Sequence, residues 1–164
     1  MNWLVIVSCT LLTIATFLFW EFVAWFSHKY IMHGFLWRWH RSHHTVHKHA
    51  LEKNDWFGVV FSIPSILLFY YGSMVDYNPY ILSIALGIFL YGVFYLVFHD
   101  IIVHQRIKWR PARQSEYLKR MINAHYVHHS KHSKEECEAF GFLYAPRKYK
   151  VKEFQFKKDR QATQ

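Results

Sequence analysis

Apolar positions along the chain fall into three long blocks, separated by basic stretches that carry the histidines. Trp3–Phe26 reads WLVIVSCTLLTIATFLFWEFVAWF, 24 residues with a single charge at Glu21. About 20 apolar residues, each rising 1.5 Å along a helix, cross a hydrocarbon core of roughly 30 Å, so this block predicts a membrane span. A cleavable signal peptide is the competing reading. It is opposed by the lack of a basic leader and of a small-residue cleavage motif, and by an apolar run longer than such peptides use.

Residues 56–75 and 80–98 form two more apolar blocks, joined by DYNP with Asn78 before Pro79, a turn sequence. Together they predict a membrane hairpin. Asn54 or Asp55 is a candidate cap for its first helix, and Pro64 a candidate kink within it. Residues 139–146, AFGFLYAP, are apolar but too few to cross, which suits an interfacial or re-entrant segment. The fold class expected is all-α: an integral membrane helical bundle of about three spans, four if that segment also enters. A cytoplasmic, histidine-rich helical cap completes it. The expected layout is one membrane-bound domain over 1–164, with spans near 3–26, 56–75 and 80–98. The cap takes 27–55 and 99–146, and a basic tail takes 147–164.

Charge orients the bundle. Of the 20 Lys and Arg residues, five lie in 27–55 and fifteen in 99–164, leaving none in the other segments. Basic residues collect on the cytoplasmic side, so both histidine-bearing regions and the C-terminus are expected there, and the Asp76 turn outside. A net charge of +9 needs no nucleic acid as partner, because a loop beside an anionic leaflet is expected to be basic. Cys9 and Cys137 lie in different compartments of this topology, and no C-x-x-C occurs.

The histidines are ordered. After the first span come HKYIMH (His28, His33) and HRSHH (His40, His43, His44); after the third come HDIIVH (His99, His104) and HYVHH (His125, His128, His129). Each half is thus an apolar helix, an H-x4-H box and an H-x2-HH box, with offsets of 71 and 85 residues between equivalent boxes. At about 100° per residue, the members of each H-x2-HH triplet share one helix face, whereas an H-x4-H pair lies about 140° apart. Either the pair flanks a space the helix partly wraps, or the helix unwinds there.

Imidazole suits iron, copper, nickel and zinc, and ten box histidines are too many for one ion. Divided over two ions they give five nitrogens each, leaving an octahedral position open, where a structural zinc site would close with four ligands. His47, His49 and His132 lie outside the boxes and read as solvated side chains. A metal transporter would place ligands near the bilayer midplane, but the blocks contain only Glu21. A structural or sensor metal protein would need neither open positions nor apolar walls. An oxygen-activating enzyme acting on a lipid accounts for both.

The four boxes resemble those of the fatty acid hydroxylase superfamily of membrane non-haem di-iron enzymes, and most closely the bacterial β-carotene 3-hydroxylases. The resemblance rests on HKYIMHG at His28, HRSHH at His40, KNDWFGVVFSIPSILLFYYG at Lys53, HDIIVHQR at His99, YLKRMINAHYVHH at Tyr117 and FGFLYAP at Phe140. It implies two iron ions on the ten box histidines, dioxygen as co-substrate and electrons from reduced ferredoxin or a similar donor. It further implies a carotenoid substrate within the bacterial inner membrane, β-carotene passing through β-cryptoxanthin to zeaxanthin. Another lipid hydroxylase, a desaturase or a carotenoid ketolase is the enzymatic alternative.

No catalytic side chain beyond the metal ligands is required, and no further cofactor-binding motif occurs. Trp20, Trp25, Tyr70, Tyr91 and Tyr95 are candidates to line a ring pocket or to pack the bundle, and Phe94 and Ala24 are placed near such a pocket. Glu21 and Asp100 are candidate carboxylates behind His28 and His99. For Glu21 the alternative is another buried polar partner, and for Asp100 an ion pair with Arg106 or Arg110.

Overall fold

The computed structural model describes residues 2–45, 51–107, 115–131 and 133–150. His47, His49, His132 and Arg110 lie outside the described residues. Among those described there is no strand. The elements are α1 (Trp3–Phe26), a short α2 (Trp37–His40), α3 (Asp55–Tyr70), α4 (Pro79–Tyr95) and α5 (Glu116–His129).

Three helices are long and apolar enough to cross a membrane: Trp3–Phe35, Asp55–Val75 and Pro79–Val103. Each outlasts its α-helical part, because a wider π-helical segment continues it: Ser27–Phe35 after α1, Tyr71–Val75 after α3 and Leu96–Val103 after α4. The first extension contains both histidines of its H-x4-H box, and the third contains His99 and ends at Val103 with His104 as its cap, so these helices carry their histidines beyond the apolar block.

α1 and α3 pack on either side of α4. Asn78 caps α4, its side chain accepting from the Tyr80 and Ile81 amides at 3.0 and 3.3 Å. Small and hydroxylated residues draw the helices close, as apolar surface alone cannot when the solvent is lipid. Thr13 Oγ1 donates to the Ser83 carbonyl at 3.1 Å, and Ser65 Oγ to that of Ala85 at 3.0 Å. A Cβ on Gly87 would meet Thr16 Cβ at 2.6 Å and the Thr13 carbonyl at 2.7 Å, so the approach of α1 to α4 depends on that glycine. Elsewhere the spans present apolar side chains outward, including Leu11, Leu18, Phe22, Ile66 and Leu67, as a lipid-facing surface does.

The tightest packing lies at the end of the bundle, where Phe98, Val103, Met121, Ile122, Phe142 and Ala145 form the main buried cluster. Residues 139–146 are not helical. They form an irregular strap that returns across the ends of α1 and α4 and closes this cluster. Phe94 and Ala24 pack against the same cluster.

Candidate metal centre

α5 builds its part from one face. Ser115 caps it, accepting from the Leu118 amide at 3.4 Å, and the buried side is Met121, Ile122, Ala124, His125 and His128. The equivalent triplet of the first half departs from the α-helical expectation. His40 ends α2, and Arg41–His44 is a tighter 3-10 turn.

The H-x4-H boxes are resolved by the π-helical turns. An i→i+5 hydrogen bond stacks residues five apart on one face, instead of the wide separation of an α-helix. The His104 amide donates to the His99 carbonyl at 2.9 Å, and in the first half His28 and His33 both lie inside the π-helical segment Ser27–Phe35, whose last turn is closed by the Leu36 amide on the Ile31 carbonyl at 3.0 Å. The helix is thus locally unwound, and both histidines of each pair face the same space.

The ten box histidines converge as two groups of five, each with ring nitrogens within 4.8 Å of one another: His28, His33, His40, His44 and His128, and then His43, His99, His104, His125 and His129. The halves exchange one member. His128 of the second half completes the first group, and His43 of the first half completes the second.

A proton count tests whether a metal fits. Seven imidazoles direct Nδ1 at an acceptor. His28 faces the Phe140 carbonyl at 3.0 Å, His33 that of Lys134 at 3.3 Å, His44 that of Lys131 at 3.2 Å and His128 that of Glu138 at 2.9 Å. His40 faces Asn54 Oδ1 at 2.7 Å, His43 faces Glu52 Oε2 at 3.1 Å, and His99 faces Asp100 Oδ1 at 2.7 Å. A neutral imidazole with its proton on Nδ1 leaves a bare lone pair on Nε2. Yet those Nε2 atoms face one another, at 3.0 Å for His28 and His40, 3.2 Å for His33 and His128, and 2.9 Å for His43 and His99. Lone pair against lone pair is repulsive unless a cation lies between. The buried His129 Nε2 has no partner among the described residues either. The donor set fits a pair of transition-metal ions.

Burial enforces the neutral form. It pushes His40, His43 and His125 well below the ordinary histidine range, neighbouring imidazoles adding to the effect. His104 falls to about 4 and His128 to about 3, again chiefly through burial. Neutral imidazole is the ligating form.

A profile described as fatty acid hydroxylase matches residues 13–145. The chain belongs to the fatty acid hydroxylase family. Within that family it is 44% identical to a beta-carotene hydroxylase of Paracoccus sp. (strain PC1) over 144 residues, covering 87% of this chain and 88% of that protein. It is 48% identical to a beta-carotene hydroxylase of Pantoea ananas over 126 residues, covering 77% and 71%. It is also 33% identical to the chloroplastic beta-carotene 3-hydroxylase 2 of Arabidopsis thaliana over 129 residues, covering 77% of this chain and 42% of that protein. No solved structure matches the chain.

The two carboxylates take different roles. Asp100 stands behind His99, as expected, while Arg106 pairs instead with Glu52 Oε1 at 2.7 Å and Asp55 Oδ1 at 2.8 Å. Glu21 does not touch His28. Its Oε1 accepts the strap amides of Phe142 and Leu143 at 2.8 and 2.9 Å, and its Oε2 accepts the Tyr91 hydroxyl at 2.7 Å. It acts on His28 at one remove, by fixing the strap whose Phe140 carbonyl holds that ring. Asn54 is not a side-chain cap for α3, because its amide oxygen serves His40. Glu52 and the strap residues Phe140 and Phe142 were not foreseen in these positions. The Phe142 ring lies 5.7 Å from that of His28 and 5.6 Å from that of His99, touching both groups. Tyr95 stacks on His99 at 4.6 Å.

Proposed function

We propose that this chain is a β-carotene hydroxylase that uses dioxygen to hydroxylate the terminal rings of the carotenoid at C3, by way of β-cryptoxanthin to zeaxanthin. The observation that carries the metal part of this reading is the set of opposed Nε2 lone pairs in each histidine group. The substrate part rests on the relatives named beta-carotene hydroxylase. Iron is the ion assigned, five histidines to each. Two bound iron ions would supply the reduction of dioxygen that makes an unactivated ring C–H bond reactive.

The reaction consumes the substrate C–H bond, one dioxygen, two electrons and two protons, and yields an alcohol and one water. The electrons come from a ferredoxin-type donor. The chain's own residues do three things. Acceptors on Nδ1 hold the rings in one tautomer and orientation, so the Nε2 atoms are preset for metal. Phe142, buried and packed against rings of both histidine groups, walls the site, which limits quenching of reactive species by water. The three spans keep the site at the membrane, where an apolar substrate needs no extraction. In this reading the protein sits in the bacterial inner membrane with the metal centre and C-terminus on the cytoplasmic face, an orientation supported by the distribution of Lys and Arg.

Expression in a β-carotene-accumulating bacterial host, followed by pigment chromatography, tests the reading. Zeaxanthin with β-cryptoxanthin is the expected result. A ring ketone would make the chain a ketolase, and unchanged β-carotene from protein with full metal content would overturn the carotenoid assignment.

A further inference from the structure

The two histidine groups do not turn Nδ1 to the same kind of partner. In the group of His28, His33, His40, His44 and His128, the described acceptors are all uncharged: the carbonyls of Phe140, Lys134, Lys131 and Glu138, and the side-chain amide oxygen of Asn54. In the group of His43, His99, His104, His125 and His129, two acceptors are carboxylates. Glu52 Oε2 stands 3.1 Å from His43 Nδ1, and Asp100 Oδ1 stands 2.7 Å from His99 Nδ1.

The carboxylates are fixed and shielded from water. The side chains of His43 and Glu52 are 1% and 8% exposed, so little solvent screens the charge between them. Arg106 reaches Glu52 Oε1 at 2.7 Å and Asp55 Oδ1 at 2.8 Å, which leaves Glu52 Oε2 aimed at His43. Among the described residues, no carboxylate contacts an Nδ1 of the first group. A carboxylate draws the Nδ1 proton harder than a carbonyl does, which makes Nε2 the more basic ligand atom. Its negative charge adds an attraction that grows with the charge of the ion, a recognised lever on the potential of a bound metal.

We propose that the two metal positions are unequal: Glu52 and Asp100 act through His43 and His99 as positioning residues that make the second group favour the more highly charged ion, while the first group favours the reduced one. The inequality rests on the two-iron reading above and adds the order in which the pair takes up electrons. Partners behind a ligating histidine typically matter 10–100-fold, and a preference of that size for ferric over ferrous iron corresponds to roughly 60–120 mV in a one-electron couple. A one-electron donor of the ferredoxin class, itself oxidised by one electron at each step, therefore reduces Fe(III) to Fe(II) in the first group before it does so in the second.

Redox titration of the full-length protein at saturating iron, without substrate, tests the inequality. Asp100→Asn and Glu52→Gln keep an acceptor oxygen and remove the charge. Each should raise the lower of the two potentials by about 60 mV, a tenfold change in relative affinity for the two oxidation states. Asn54→Asp gives His40 of the first group the charge it lacks and should lower the upper potential by a similar amount. Glu116→Gln, which removes an exposed carboxylate of α5 paired with Lys119, should shift neither. Unchanged potentials in Asp100→Asn, Glu52→Gln and Asn54→Asp, with two irons bound, would mean that these side chains only orient the rings; that overturns the inequality and leaves the hydroxylase reading standing. His128→Ala and His43→Ala, each retaining one group, give the same comparison without a neighbouring ion. The iron left in His128→Ala should show the lower potential, and equal potentials or the reverse order overturn the inequality. A parent that holds fewer than two irons overturns the two-iron reading and the inequality with it.

Discussion

His43 and His99 bring their Nε2 atoms to 2.9 Å although they are 56 positions apart, and His33 and His128 meet at 3.2 Å across 95 positions. These are the two contacts by which the halves of the chain exchange a histidine. Each group therefore depends on both halves, and neither box pair can hold its five nitrogens alone. His43→Ala should empty the group built on His99 and spare the one built on His28, while His128→Ala does the reverse. Iron per chain should fall in both variants from about two to about one. Full metal content in both would contradict the exchange.

The acceptors on Nδ1 make a second set of predictions. Asp100→Ala and Asn54→Ala leave His99 and His40 without the partner that fixes their orientation. Loss of such a partner typically weakens metal affinity 10–100-fold. Metal titration of the stripped variants should show that loss in the second group for Asp100→Ala and in the first for Asn54→Ala. Asp100→Asn keeps an acceptor oxygen and should recover part of it.

Acid should act on the metal-free protein through the same imidazoles. His104 and His128 titrate at about 4 and about 3 when folded, against 6.5 when exposed. Between those values the unfolded chain binds more protons than the folded one, so stability falls as pH drops from about 6.5 toward 4, and is level above 6.5. Denaturation of the stripped protein across that window measures it. Bound metal should delay the loss, since protons and metal compete for the same nitrogens.

Glu21 and the strap form a latch that can be broken from either side. Glu21→Ala removes the acceptor of the Phe142 and Leu143 amides, and each buried group left unpaired costs about 1–3 kcal/mol. Gly141→Ala acts in reverse, since its Cβ would come within 2.8 Å of Glu21 Oε1, an atom held by both amides. Both variants should expose residues 139–146 to protease and lower the melting temperature, and Leu11→Ala, on the lipid-facing side of α1, should do neither.

Much of this was legible in the sequence because periodicity and box spacing are local. The spans at Trp3 and Pro79, the α5 triplet and the membership of all ten histidines follow from residues a few positions apart. The H-x4-H geometry was not, since 3.6-residue periodicity leaves the pair on different faces and only the i→i+5 turn at His99 and His104 brings them together. The exchange of His43 and His128, and the partner of Glu21 more than 120 positions away, depend on how the two halves dock. Asn54 was misread for a related reason. A cap is the local use of an asparagine before a helix, and the nearby turn at His40 offered it a better partner.

The central claim is that the histidine-bound metals use dioxygen to oxidise a ring carbon. Turnover of β-carotene by the iron-loaded protein under 18O2, with mass analysis of the purified zeaxanthin, tests it most directly. The account predicts 18O in each C3 hydroxyl and its loss when the iron is removed. Hydroxyl oxygen drawn from solvent water, or label incorporation that survives complete removal of metal, would contradict it.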